Sequence, residues 1–256
     1  MQEPKKALGI IPARYASTRF PGKPLADIAG KSMIQRVYEQ AVQADSLGLV
    51  VVATDDERIA DHVRAFGGAV QLTRSDHPSG TDRCAEVASR YRAFPAVVNI
   101  QGDEPFLDPR QIDLVAKPLF SGAAHISTLA KEIRDPHVVQ NPNTVKVVFE
   151  TGGRALYFSR SPIPYFRGGS VEEGIQRAYF FRHIGLYGFQ TEILQELTRL
   201  APSRLELAES LEQLRWLENG YSIQVQLTEK ETLGIDTPED LEAALGFLRA
   251  NPDSGF

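Results

Sequence analysis

"IIPARYASTRFPGKPL", residues 10–25, continues an apolar run that begins at Ala7, and its reading decides the fold. Ala7–Ile11 has the length and composition of a short buried strand, Pro12 and Gly22 punctuate the loop that follows, and helical spacing resumes from Lys31. A strand, a punctuated loop and a helix make the opening of a βαβ unit. Between Lys5 and Pro24 stand five cations, Lys5, Lys6, Arg14, Arg19 and Lys23, and no carboxylate. The whole chain has a formal net charge of −5, so this positive charge is local. Backbone N–H groups at a strand end, together with mobile Arg14 and Lys23, suit an anion such as a triphosphate. The loop matches neither G-x-x-x-x-G-K-[ST] nor G-x-G-x-x-G, and a solvated basic loop is the other reading of the same spacing.

Working outward, short apolar runs recur at Leu49–Ala53, Ala69–Leu72 and Ala96–Ile100. Between them lie segments with helical periodicity, such as Met33, Val37, Ala41 and Ala44, then Ile59, Val63 and Phe66. The pattern predicts a Rossmann-like α/β fold: a mainly parallel sheet flanked by helices, with ligands beyond the carboxyl ends of its strands. Near residue 124 the rhythm changes. "ISTLAKEI", "TVKVVFE", "RALYFSR" and "RHIGLYGF" read as strands with few helices between them, which predicts a smaller mixed, partly antiparallel subdomain over 124–189. Within it, the Pro/Gly-punctuated aromatic stretch 161–181 reads as an arm or lid. Helices are expected at 190–200 and 205–218, a strand at 221–228, and a final helix with Thr237 as N-cap, Pro238 in the first turn and Asp240 completing a capping box. Residues 1–123 and 190–256 are then one α/β core.

The chain has 256 residues, 42% of them hydrophobic, enough for one large α/β domain with an insertion. An acidic balance argues against nucleic-acid binding and membrane-surface binding, and Arg90 and Arg92 in "EVASRYRAF" read as the solvated face of a helix. The early apolar run is too short for a signal peptide or a membrane span. The single cysteine, Cys84, allows no internal disulfide, reads as a small core residue beside Val87, Ala88 and Tyr91, and fits a reducing compartment; the expected location is the cytoplasm. His62, His77, His125 and His137 show no metal-ligand spacing.

The opposite charge comes from "NIQGDEP", residues 99–105. A strand running into Gly102-Asp103-Glu104 presents carboxylates at the sheet's carboxyl edge, where oxygen ligands can hold Mg²⁺ against phosphates. Asp236 in "GIDTPED" is a second candidate, although it could simply support the turn before the last helix. In "RHIGLYGF", His183, Gly185, Tyr187 and Phe189 share one strand face, leaving a glycine gap between an imidazole and a phenol; the alternative is a packed, internally hydrogen-bonded pair. In "RALYFSR", Arg160 shares a face with Leu156 and Phe158, which calls for a carboxylate partner from a ligand or from the protein. Ser17 and Ser159 have no evident base partner and are not assigned as nucleophiles.

Taken together, "IIPARYASTRFPGKPL", "VVATDDERIA", "TRSDHPSGTDRCAEV", "NIQGDEPF", "NPNTVKVV", "ALYFSRSPIP", "FRHIGLYGF", "LELAESLEQLRWLENG" and "GIDTPEDL" resemble the 3-deoxy-D-manno-octulosonate cytidylyltransferase (CMP-Kdo synthetase) family over nearly the whole chain. The resemblance implies a nucleotidyltransferase that joins CTP to the sugar acid Kdo, giving CMP-Kdo and pyrophosphate for lipopolysaccharide synthesis. It implies that Arg14 and Lys23 contact the CTP phosphates, that Asp103 and Asp236 hold Mg²⁺, and that the segment around Arg74, Ser79 and Gly80 receives cytosine and ribose. Gln101, Arg160, His183, Tyr187, Glu212 and Gln213 are implied as the sugar-acid pocket, and the 124–189 subdomain as the homodimer contact. Three other readings stay open at this point. They are the same transfer to a related acid (8-amino-Kdo or a sialic-type acid), a metal-dependent glycosyltransferase, and a silent sugar-nucleotide binding protein.

Overall fold

The computed structural model describes residues 5–16, 20–231 and 234–250. Ser17 and Arg19 lie outside the described residues. Contacts divide the chain into two compact units, Met1–Asp113 with Glu231–Phe256, and Leu114–Lys230.

The first unit is built as the apolar periodicity dictates. In chain order it contains β1 (Ala7–Ala13), a short 3₁₀ turn (Lys23–Leu25), β2 (Asp27–Ile28), β3 (Lys31–Ser32), α1 (Met33–Ala41), β4 (Leu47–Thr54), α2 (Glu57–Ala65), β5 (Val70–Leu72), α3 (Gly80–Arg90) and β6 (Ala96–Asn99), and α4 (Pro109–Phe120) begins in it. Strands β6, β1, β4 and β5 lie side by side in that order, all parallel. Leu8, Ile10, Ile11, Val51, Val52, Val97 and Val98 are fully buried, as continuous apolar strands covered on both faces should be. Pro12 sits in β1 beyond its pairing with β6, which covers only Leu8–Ile10, so its missing N–H costs no bond on that side.

Helical spacing places a helix from Lys31, but the structure starts α1 at Met33. Lys31 and Ser32 instead pair with Asp27 and Ile28 in a tight hairpin. Its two turn residues, Ala29 and Gly30, have φ of 50° and 84°, the twist that a two-residue hairpin needs. The buried Arg36 reaches back from α1, and its Nε and Nη2 donate to the Ile28 and Ala29 carbonyls at 2.7 and 3.2 Å.

The second unit holds β7 (Ile126–Glu132), α5 (Pro136–Gln140), β8 (Lys146–Phe149), β9 (Ala155–Ser159), α6 (Val171–Gln176), β10 (Phe181–Gln190), α7 (Thr191–Leu197), α8 (Arg204–Glu209), α9 (Gln213–Glu218) and β11 (Ile223–Leu227). Its strand pairs are antiparallel except β11 against β7. That parallel pair moves the boundary between units. The sequence rhythm sets the subdomain at 124–189, whereas residues 190–230 pack with this unit because β11 aligns Ile223–Leu227 with Ile126–Ala130. The single helix expected over 205–218 is two, broken where Ser210 turns to a φ of 52°. The stretch 161–181 contains α6, started by a capping box between Ser170 and Glu173.

The chain returns to the first unit with α10 (Pro238–Ala250). Its N-terminus is the expected box, in which Asp240 N–H donates to Thr237 Oγ1 at 3.2 Å and Thr237 N–H to Asp240 Oδ2 at 2.9 Å. Leu241, Leu245 and Leu248 pack against Ile28, Met33, Phe106, Ile235 and Ala244. Among the described residues, no helix is long and apolar enough to cross a membrane. Cys84 is buried.

Candidate active site

β1 delivers the chain to Arg14, and the loop closes on itself through Gly22 N–H to the Tyr15 carbonyl at 3.0 Å. Gly22 has φ 72° and packs under the Tyr15 ring, so the tight reversal sets Lys23 at the start of the 3₁₀ turn. The Lys23 ammonium lies 2.8 Å from Asp103 Oδ2 and 3.1 Å from Asp236 Oδ1. Three residues scattered along the chain thus meet at one point.

Each carboxylate has a local cause. After β6 the chain passes so near β1 that a Cβ on residue 102 would lie 3.0 Å from the Pro12 carbonyl oxygen, and Gly102 permits that approach and brings Asp103 to the strand end. Asp236 is tied from both sides. Ile235, buried in the apolar cluster under α10, donates its N–H to the Asp103 carbonyl at 2.9 Å. Asp236 donates its own N–H to Asp240 Oδ2 at 2.9 Å. The Asp240 carboxyl is held below its usual range, first by this bond from Asp236; burial opposes the shift, and the bonds from Thr237 and the nearby Lys23 add to the lowering.

These groups line a cavity of about 470 Å³ with Pro12, Arg14 and Gln101. Lys23 is 17% exposed, while the side chains of Asp103 and Asp236 keep 31% and 48%, so their oxygens can take a ligand from solvent. Among the described residues no group of three His, Cys, Asp or Glu could hold a metal by itself. Two carboxylates fit Mg²⁺, which commonly takes one or two carboxylates and completes its shell with water and substrate phosphate oxygens.

The segment carrying Arg74, Ser79 and Gly80 runs into α3. The Arg74 guanidinium is engaged by Asp76 through two bonds, at 2.6 and 2.8 Å, and is largely exposed. Ser79 caps α3 by accepting from Asp82 N–H at 3.1 Å. A Cβ on Gly80 would lie 3.4 Å from the Pro12 ring, so the helix start sits beside the end of β1. Arg83, which the sequence did not single out, is 1% exposed; its Nη1 lies 2.5 Å from Thr73 Oγ1 and 3.1 Å from Asp55 Oδ1. Burial pulls its pKa down, opposed by Asp55. Nothing in the local spacing announces this contact, because Asp55 follows β4, Thr73 follows β5 and Arg83 lies in α3.

In the second unit, His183 and Tyr187 do stand side by side, with ring centroids 5.2 Å apart. A Cβ on the intervening Gly185 would meet no atom within 4 Å, so the gap is open. His183 Nε2 lies 2.9 Å from Thr128 Oγ1, and burial pushes the imidazole down to about 3, which keeps it neutral. The Tyr187 hydroxyl is buried with no hydrogen-bond partner; burial first, and Glu212 second, push its pKa well above the usual range. The indole N–H of Trp216, also overlooked in the sequence, is likewise buried without a partner, and its ring meets Tyr187 edge-on at 5.1 Å. Gln213 is buried in the same α9.

Arg160 corrects the strand-face argument. A bulge in β9 turns Leu156 outward, leaving it 56% exposed while Phe158 is fully buried, and Arg160 lies beyond the strand. Its partners are main-chain carbonyls: Nε donates to Glu209 O at 2.7 Å, Nη1 to Pro142 O at 3.1 Å and Nη2 to Ser210 O at 3.3 Å. The Glu209 carboxylate accepts from Ser159 Oγ at 2.6 Å and from Arg160 N–H at 2.9 Å. Buried Lys146 donates to the Arg160 carbonyl at 2.5 Å. Each terminal guanidinium nitrogen has a second hydrogen to offer a ligand.

A family model described as cytidylyltransferase matches residues 8–230. The chain belongs to the cytidylyltransferase family. This cytidylyltransferase is 55% identical over 248 residues to the 3-deoxy-manno-octulosonate cytidylyltransferase of Parabacteroides distasonis, covering 95% of this chain and 98% of the relative. It is 52% identical over 248 residues to the protein of the same name from Geobacter sulfurreducens, covering 94% of this chain and 98% of that relative. A solved structure of CMP:2-keto-3-deoxy-manno-octonic acid synthetase complexed with CTP superposes with a TM-score of 0.89 at 43% identity, over 96% of this chain and 100% of that one. A 4-diphosphocytidyl-2C-methyl-D-erythritol synthase from Anaerococcus prevotii shares the fold, with a TM-score of 0.62 at 14% identity over 95% of this chain and 99% of that one.

Proposed function

We propose that this chain transfers CMP from CTP to the anomeric hydroxyl of Kdo, releasing pyrophosphate, as a cytoplasmic homodimer whose product supplies lipopolysaccharide assembly. The observation that carries the reading is the convergence of Lys23, Asp103 and Asp236 in a cavity shared with Arg14. Relatives with the same named activity and the CTP complex of a similar structure support it.

The anomeric oxygen forms a bond to the α-phosphorus as the bond from that phosphorus to the bridging oxygen of pyrophosphate breaks, and the hydroxyl proton leaves to solvent. Such a displacement needs positioning and charge neutralisation more than a covalent intermediate. Lys23 and Arg14 offset charge on the α-phosphate and on the departing pyrophosphate. Asp103 and Asp236 would hold Mg²⁺, which supplies further neutralisation and acidifies the attacking hydroxyl. The ionisable groups in the cavity lining are Arg14, Lys23, Asp103 and Asp236.

Arg74, Ser79 and Gly80 are assigned to the cytidine half, and Gln101, Arg160, His183, Tyr187, Glu212 and Gln213 to the sugar acid. The unpartnered Tyr187 hydroxyl and the open space at Gly185 favour a polyhydroxylated ligand there. The test is pyrophosphate release with CTP, Mg²⁺ and Kdo, run beside sialic acid, 8-amino-Kdo and EDTA. Release only with Kdo and metal supports the proposal. Equal turnover of another acid moves the substrate, and no release with any acid defeats the reaction.

A further inference from the structure

One carboxylate on α3 gathers the loop that precedes it. Glu86 Oε2 accepts from the Arg74 backbone N–H at 3.0 Å and lies 2.5 Å from His77 Nε2, while Oε1 accepts from Arg90 Nη2 at 2.5 Å. The side chain is 15% exposed. Burial pushes the Glu86 carboxyl up, but the bonds from His77 and Arg74 N–H and the charge of Arg90 bring it below its usual value, so it is ionised. The loop's ends are pinned separately: Thr73 N–H donates to the Thr54 carbonyl at 2.9 Å, and Ser79 caps α3. Its middle, Arg74 to His77, is tied to the helix by Glu86. The far end sits against Pro12, which lines the Lys23 cavity.

We infer that Glu86 is a positioning residue for the nucleotide, holding the 73–79 loop in the conformation that receives the cytidine half of CTP. The inference rests on the proposed reaction for its substrate. Removing the carboxylate frees three donors at once, and the loop has no other tie to α3 between Arg74 and His77 among the bonds described.

The test compares wild type with Glu86→Ala, Glu86→Gln and His77→Phe by steady-state pyrophosphate release and by calorimetric CTP binding. Glu86→Ala should raise the KM and Kd for CTP roughly tenfold or more, with kcat and the KM for Kdo within about twofold. Glu86→Gln, which keeps one acceptor oxygen, should give a smaller rise, and the preference for CTP over UTP should narrow in step. Unchanged CTP affinity in Glu86→Ala would overturn the inference, as would a fall in kcat alone, the mark of lost folded enzyme. If Glu86→Ala does not fold, His77→Phe decides: it leaves Glu86 in place and should still weaken CTP about threefold. A wild-type chain that binds CTP but releases no pyrophosphate would bring down the reaction while the CTP affinities still judge the loop, and one that binds no CTP would bring down both.

Discussion

Asp240→Ala separates the stability of the last helix from the geometry of the site. The substitution removes two bonds, those from Asp236 N–H and Thr237 N–H to Oδ2, each 2.9 Å long. It spares the reciprocal bond from residue 240 N–H to Thr237 Oγ1, which needs no side chain. Bonds to a charged acceptor contribute about 1.5–3 kcal/mol when both partners are buried, but these donors are only half-buried and water partly replaces the carboxylate. The loss should therefore fall near that of a helix cap, about 1–2 kcal/mol. For a chain of this size that lowers the melting temperature by roughly 2–8 °C. Because the Asp240 carboxyl is held below the unfolded-state value of 3.8, its stabilisation is fully present above that value and is lost as pH falls through the folded-state pKa. The difference in melting temperature between wild type and variant should accordingly shrink below about pH 4. Freed from Asp240, the Asp236 backbone should let its carboxylate drift from Lys23, and kcat/KM for pyrophosphate release should drop about tenfold at a temperature well below melting. A lower melting temperature with kcat/KM unchanged within twofold would refute the argument, since Ile235 alone would then suffice to hold Asp236.

Asp103→Asn should cut kcat at least about a hundredfold while leaving the melting temperature within about 2 °C, because it removes one of the two carboxylates that meet at Lys23 and disturbs no core packing. His183 is neutral in the folded chain down to about pH 3 and titrates near 6.5 when unfolded, so the unfolded state binds more protons between those values and stability falls as pH drops through that window. His183→Gln should flatten the pH dependence of the melting temperature between pH 4 and 6.5, and an unaltered slope would show that other groups set it. Ala29→Asn should raise stability by about 0.5–1 kcal/mol, measured by urea unfolding, since asparagine tolerates the φ of 50° better than alanine.

Most of the first unit could be read directly from residue patterns. Runs such as Val50 to Ala53, flanked by helical stripes and turn residues, have one stable arrangement, parallel strands covered on both faces. Capping at Thr237 and Asp240 was equally local, because donor and acceptor lie within one turn. The motif-based resemblance named the site residues, and the spacing of carboxylates at strand ends gave independent reason to look at Asp103 and Asp236.

What the sequence by itself determined, then, was everything that depends on neighbours within a few residues: strand and helix periods, caps, the cationic loop and the glycines that shape it. Tertiary structure decided the rest. The parallel pairing of β11 with β7 set the boundary of the second unit, and the β9 bulge turned Leu156 away from the face that alternation assigned it. Arg160 found carbonyls where a carboxylate was expected, and the contacts of Glu86 with the Arg74–His77 loop, of Arg83 with Asp55 and of Trp216 with Tyr187 join separate segments of the chain. The physical reason is that a side chain's partner is set by which backbone segments the core brings within about 3 Å, and hydrogen bonds and ion pairs at that range leave no periodic trace in the sequence.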